Sequence, residues 1–148
     1  MALDDKTISA LTKSITAVYE SGLTESVLKR LDSFGCVSTE GDAFLIGFSV
    51  QVVEQTIKNE CNVSEIPEGL ICAAVDMVCG EIISTKHRTG QLELASMDLD
   101  GAIASVNVGG TSVAFDNNSS DESKLNALIL ALKNVGRGEF ACYRKIKW

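Results

Sequence analysis

Residues 70–83 are apolar at nearly every position: Leu70, Ile71, Cys72, Ala74, Val75, Met77, Val78, Cys79, Ile82 and Ile83. Wound at 3.6 residues per turn, such a run has no polar face to turn toward water. A helix of this kind must be surrounded, so the sequence predicts a buried helix in the middle of a bundle. Pro67 and Glu68 mark its start, because proline suits a first-turn position and glutamate favours the positive end of the helix dipole. Asp76 interrupts the run. A carboxylate buried there without a partner would be strongly destabilising, so Asp76 either lies on one wet edge or meets a cation. Arg144 and Lys145 are the candidate cations, and an ion pair of Asp76 with Arg144 is the expected form.

Other segments supply the wrapping. Within residues 1–22, Ile8, Leu11, Ile15 and Val18 form a narrow stripe on an otherwise Ser/Thr/Lys helix, with Asp4 and Asp5 at its positive end. The stripe is too thin for central core and is expected to cover a groove, on its own domain or on a neighbour. Gly22 breaks this helix. Thr24 can cap a second, with Leu23 and Leu28 at staple positions, Val27, Leu28, Leu31 and Phe34 inward, and Gly35 at the end. Thr39 with Asp42 reads as a capping box opening a third helix, whose stripe of Ile46, Val50, Val53 and Ile57 is widened by Leu45, Phe48 and Val52. Residues 62–67 interrupt the helical pattern. Ser119 with Glu122 forms a second box before Leu125, Leu128, Ile129 and Leu132, and Gly136 closes that helix.

Residues 102–115 change period. Ala104, Val106 and Val108, then Thr111, Val113 and Phe115, alternate around Gly109 and Gly110, which predicts a β-hairpin with Val106 opposite Val113. An isolated hairpin is marginal in water, so this one is expected to lean on its own helices or on another subunit. The fold class is therefore mainly α: a bundle of about five helices with one β-hairpin inserted before the last long helix. At 148 residues and 45% apolar, the chain makes one domain, without internal repeat or linker.

The charge is unevenly placed. Residues 133–148 carry five Lys/Arg and one Glu, or +4, while residues 1–132 carry eight against nineteen, or −11. The tail, residues 137–148, interleaves Phe140, Tyr143, Ile146 and Trp148 with Arg144, Lys145 and Lys147. Such a segment is expected to insert into a partner surface, and its charge suits head-to-tail contact with an acidic neighbour. The net charge of −7 argues against wrapping nucleic acid by phosphate neutralisation, though not against an acidic surface past which DNA slides.

Catalytic and metal chemistry find little support. Cys36, Cys61, Cys72, Cys79 and Cys142 include no C-x-x-C, and one histidine cannot complete a zinc set, so they read as buried free thiols of a reducing compartment. His87 sits between Lys86 and Arg88 at a helix end, without a nucleophile or carboxylate to form an oriented pair. Gly109-Gly110-Thr111 lacks the lysine of a phosphate loop, and residues 60–68 lack the alternating oxygen ligands of a calcium loop. No enzyme activity, metal or cofactor is expected. The acidic N-terminus lacks a signal-peptide core, and the longest uncharged run, residues 101–115, is too short and polar to span a bilayer. A soluble protein made in a cytoplasm is expected, with no membrane partner.

One ordered set of motifs looks familiar: Cys61-Asn62, then Glu65-Ile66-Pro67-Glu68-Gly69-Leu70, then Val75-Asp76-Met77, then Gly109-Gly110-Thr111, and finally Tyr143-Arg144-Lys145-Ile146-Lys147-Trp148. Over residues 24–148 the chain resembles the head–tail connector (adaptor) proteins of tailed bacteriophages, in versions from phages and prophages of Gram-positive bacteria. The resemblance implies a single connector-like domain over 1–148, mainly helical, with a protruding hairpin. It implies a closed ring of copies, expected as a dodecamer, in the virion neck. The ring would join the portal protein of the head to tail terminator or other neck proteins and line the DNA channel without sequence-specific binding, after assembly in the host bacterial cytoplasm. Two departures stand out: the family's hairpin tip is more often Gly-Asp-Thr, and its tail more often carries Arg where Lys145 and Lys147 stand. Lysine lacks the bidentate geometry of arginine, which bears on partner contacts.

The resemblance and the physics together assign Ile8, Leu11, Ile15, Val18, the hairpin from Val106 to Phe115 and the aromatic-basic tail to subunit or partner interfaces. A collar protein of a headless, phage-tail-like bacteriocin, with tail-tube partners, would look almost the same. A small helical regulator binding one host protein through its tail is the reading from another class.

Overall fold

The structure, a computed structural model, describes residues 4–36, 38–108 and 120–146. Its centre is the apolar helix. Helix α4 spans Ile71–Arg88 after a single 3-10 turn at Glu68–Leu70 that follows Pro67. From Ala73 to His87 no residue is fully exposed, because neighbours cover α4 on several sides. Those neighbours are α2 (Thr24–Ser33), α3 (Ala43–Cys61) and α6 (Asp121–Asn134).

Helix α1 (Asp5–Thr16) touches α2 and α3 from the side away from α4. The four helices therefore close a four-cornered bundle in the order α1, α2, α4, α3, with α2 and α3 on one diagonal. The Asp4 carboxylate accepts the Thr7 backbone N–H at 2.8 Å and caps α1. Ile8, Leu11 and Ile15 are buried inside their own chain, so this stripe covers the groove between α2 and α3. On α2, Val27, Leu28, Leu31 and Phe34 all point inward as the pattern requires. Thr24 is the first helical residue rather than the cap, and the Ser21 hydroxyl accepts the Leu23 N–H instead, at 3.1 Å. Gly35 ends the helix at φ 81°, where any side chain would also collide with the Ser96 carbonyl. That close approach docks residues 94–98 onto the end of α2, with Asp98 N–H donating to Phe34 O at 3.2 Å.

The capping box at Thr39 forms as the sequence predicts, but on a 3-10 turn, Glu40–Asp42, that leads into α3. The Asp42 carboxylate reaches back to the Thr39 N–H at 3.0 Å. Ile46, Val50, Val53 and Ile57 are buried, and Asn62 ends α3 in the left-handed conformation at φ 53°. Phe48 and Val52, expected to widen the core stripe, are exposed instead. They lie opposite Ile46 and Val50 on the helix wheel, so a core seated on the latter pair cannot also reach them.

Before α6 the structure corrects the sequence reading. Leu99–Val108 is a helix, α5, where the first hairpin strand was expected. Leu99, Ala102 and Ile103, spaced i, i+3, i+4, are all buried, and α5 packs on α6. Asp98 starts the helix by accepting the Gly101 N–H at 3.1 Å, and Lys124 of α6 clips Asp100 at 3.1 Å. The alternation of Ala104, Val106 and Val108 is compatible with either period, and this stronger helical triplet decides it. The rest of the expected hairpin, Gly109, Gly110, Thr111, Val113 and Phe115, lies outside the described residues. Among the described residues there are six helices of ten residues or more and no strand. Ser120, one residue after the expected Ser119, caps α6 by accepting the Ser123 N–H at 3.2 Å. A 3-10 turn at Arg137–Glu139 leads into a one-turn helix, α7 (Phe140–Tyr143), which packs on α3.

Helices α4 and α6 approach closely at Gly80. A Cβ there would lie 2.9 Å from Leu132 Cβ and 3.2 Å from the Lys133 backbone nitrogen. A Gly80→Val variant is expected to force the two helices apart and lose about 1–3 kcal/mol of stability by overpacking. Thermal unfolding would register this as a midpoint several degrees lower. Gly22→Ala, at a site with open space around it, should leave the midpoint near wild type.

Candidate interaction surfaces

The tail is rooted before it is exposed. Phe140 is buried against the core, and Tyr143 packs its phenol edge onto the backbone of Gly69, where a side chain would clash with the ring. Beyond it the Lys145 N–H donates to Cys61 O at 2.8 Å, and Arg144 Nε donates to Glu60 O at 2.8 Å. Arg137 lies 3.5 Å from the Glu60 carboxylate. Two tail cations thus sit at the C-terminal end of α3, where free carbonyls and the helix dipole favour positive charge. Ile146 follows at 74% exposure. Lys147 and Trp148 lie outside the described residues.

Arg144 is therefore not the partner of Asp76, contrary to the sequence expectation. Asp76 meets Arg30 instead, with Nε to Oδ1 at 2.8 Å between half-buried side chains. Arg30 also lies over the Phe34 ring, 4.5 Å from its centroid. Geometry explains the choice: α2 runs beside α4, while Arg144 is held at the far end of α3.

The interface residues expected from sequence scatter. Ile8, Leu11, Ile15 and Phe140 face inward, Val18 is 43% exposed, Val106 and Val108 belong to α5, and Tyr143, Arg144, Lys145 and Ile146 gather at the α3 C-terminus. Sequence reasoning missed the outer face of α3. Phe44, Phe48 and Val52 follow one another at intervals of four, and the two phenyl rings stack with centroids 6.0 Å apart and planes 11° apart. Val18 packs beside them over Gly47. The signal was present in the sequence as a second apolar line on α3, running along the face opposite the core stripe.

A second apolar surface opens between α2 and the first turns of α4. Ile71, Cys72 and Val75 form its floor, and Lys29, Arg30 and Ser33 its α2 side. A separate cavity, of about 370 Å³, is polar and holds an ion pair between Lys86 and Asp42 at 2.9 Å. Both residues are buried, and the same Asp42 carboxylate serves the Thr39 cap. Burial pushes the neighbouring Cys36 thiol above its usual range, and it does the same to Cys79 in the core. Of the five thiols, all free, Cys36, Cys61 and Cys79 are buried, whereas Cys72 and Cys142 are exposed. His87 lies 3.9 Å from the exposed Glu122. Among the described residues, no three His, Cys, Asp or Glu side chains converge as a metal site, and no helix is long and apolar enough to cross a membrane.

Glu54 is the other group that sequence reasoning passed over. Buried on α3, it accepts the Tyr19 hydroxyl at 2.6 Å and the Ser21 hydroxyl at 2.6 Å, with Lys58 4.0 Å away. This clamp fastens the α1–α2 connection to α3 and so fixes Val18 beside the aromatic stripe. A glutamate amid the apolar run of Val50, Val53 and Ile57 was the available clue.

The bond to Glu54, with some burial, raises the Tyr19 phenol from 10.0 to about 12. The folded state then holds this proton more tightly than the unfolded chain does. Its stabilisation is complete below pH 10 and is lost as pH rises through about 12. Tyr19→Phe should be less stable at neutral pH and show a shallower loss of stability between pH 10 and 12 in urea titrations. Equal slopes for the two proteins would show that Tyr19 and Glu54 are not coupled.

No protein-family model, curated protein or solved structure matches this chain.

Proposed function

We propose that this chain is a structural subunit that assembles with copies of itself into a closed ring at the neck of a phage or phage-like particle, between portal and tail. The reading starts from the ordered motifs that resemble those of head–tail connectors, and the observation that carries it is the tail. A segment fixed by Phe140, Tyr143 and the Lys145–Cys61 hydrogen bond presents Ile146 outward from one end of α3. An exposed aliphatic side chain on an anchored, hydrogen-bonded segment is pre-organised for docking, because little conformational freedom remains to be lost. The adaptor role also fits the charge. Copies whose first 132 residues carry −11 would give the channel an acidic lining that repels phosphates and lets DNA pass.

Native mass spectrometry and negative-stain microscopy, with and without the portal protein, test the reading. Closed rings of a single copy number are expected, and a chain that stays monomeric under both conditions would overturn it. Removal of residues 144–148 should abolish incorporation into such rings. It should leave helical circular dichroism unchanged, since Phe140 and Tyr143 remain to cover the core.

A further inference from the structure

Helix α3 turns Phe44, Phe48, Gln51, Val52 and Gln55 outward, and none of these is ionisable. The chain as a whole carries −7. Two copies repel one another over most of such a surface, so a neutral aromatic face is where they approach at least electrostatic cost. The face is also large enough to matter. Phe44 is 68% exposed, Phe48 52%, Val52 41% and Val18 43%. With about 200 Å² for a phenylalanine and about 150 Å² for a valine, roughly 370 Å² of apolar surface lies open. That is near half of the ~800 Å² that one partner buries in a standard interface, as suits an apolar centre within a polar rim.

The position of the face indicates what covers it. It lies opposite Ile46, Val50, Val53 and Ile57 on α3, so it points straight out of the α3 corner. Helix α2 holds the diagonal corner, and the groove between α2 and α4 opens on that far side, enclosing about 530 Å³. Its charges are already balanced: Arg30 is bound to Asp76 and Lys29 to Glu25. A neutral face can therefore close over it without stranding a charge. The cations at its edge also favour the electron-rich faces of incoming rings.

We propose that the Phe44–Phe48–Val52 stripe of one copy seats in the α2–α4 groove of the next, a head-to-tail contact that deepens the ring reading and rests on it. Two different patches facing away from each other propagate an assembly, whereas a stripe packed on its own copy stops at two.

A mixing experiment tests this, with circular dichroism confirming that every variant folds. A Phe44→Asp/Phe48→Asp double variant breaks the stripe and keeps the groove. Cys72→Glu breaks the groove and keeps the stripe, and Ser33→Trp fills the groove without adding charge. Each should weaken self-association by about 30-fold or more in sedimentation velocity. An equimolar mixture of stripe and groove variants should form one-to-one pairs and nothing larger, because one intact stripe and one intact groove remain between them. A stripe variant that assembles like wild type would overturn the contact and leave the ring reading standing. Groove variants that assemble like wild type, or a mixture without pairs, would equally overturn it. A wild type that remains monomeric would overturn the contact and the ring together.

Discussion

A helix without a polar face is stable in water only when other elements surround it, and α4 imposes that condition on this chain. Burial alone would let neighbouring helices slide, since apolar contact has no direction. Two charges on α4 remove that freedom. Asp76, near its start, accepts Arg30 of α2, and Lys86, near its end, donates to Asp42 at the entry to α3. Each is largely withdrawn from water and meets an opposite charge, so each fixes the register of a different helix against the centre. Asp42 also closes the Thr39 cap, which makes the start of α3 and its docking on α4 a single event.

What lies farther out follows from this centre. Once Ile46, Val50, Val53 and Ile57 are spent on the bundle interior and Glu54 holds the α1–α2 connection, nothing in the described chain covers the other side of α3. Stacked phenylalanines there contribute little to the stability of the single subunit. Exposed patches of this size on a soluble surface commonly mark interaction sites. The α2–α4 groove arises similarly, because α2 ends its inward face at Phe34 while the first turn of α4 still shows Ile71 and Cys72.

Burial was legible in the sequence wherever one period dominated. The α4 run apart from Ile71 and Cys72, the inward faces of α2 and α6 and the Thr39–Asp42 cap stand where the residues place them. Residues 99–108 were not legible, because small residues and valines satisfy both periods and Gly109-Gly110 weighted the choice toward a turn. Long-range pairing was the second blind spot. Arg30 lies 46 positions from Asp76, and composition offers no reason to prefer it to a cation of the tail. The outer stripe of α3 is masked in the sequence because the helix is apolar on two faces, so Phe48 and Val52 read as core although only one face can meet α4.

The tail changes how attraction between copies would arise in the proposed ring. From sequence, its +4 beside a −11 body reads as the source of head-to-tail affinity. In the structure Arg137 and Arg144 already neutralise the C-terminal end of their own α3, so that part of the charge stabilises the fold. In the proposed ring, affinity between copies would then rest on neutral surface, with remaining exposed charges guiding encounter and register. An acidic subunit that joins its neighbours through uncharged faces keeps its negative charge for the surfaces left open. Those include any wall that a passing polyanion would meet, so a neutral contact and a repulsive lumen are compatible demands on one sequence.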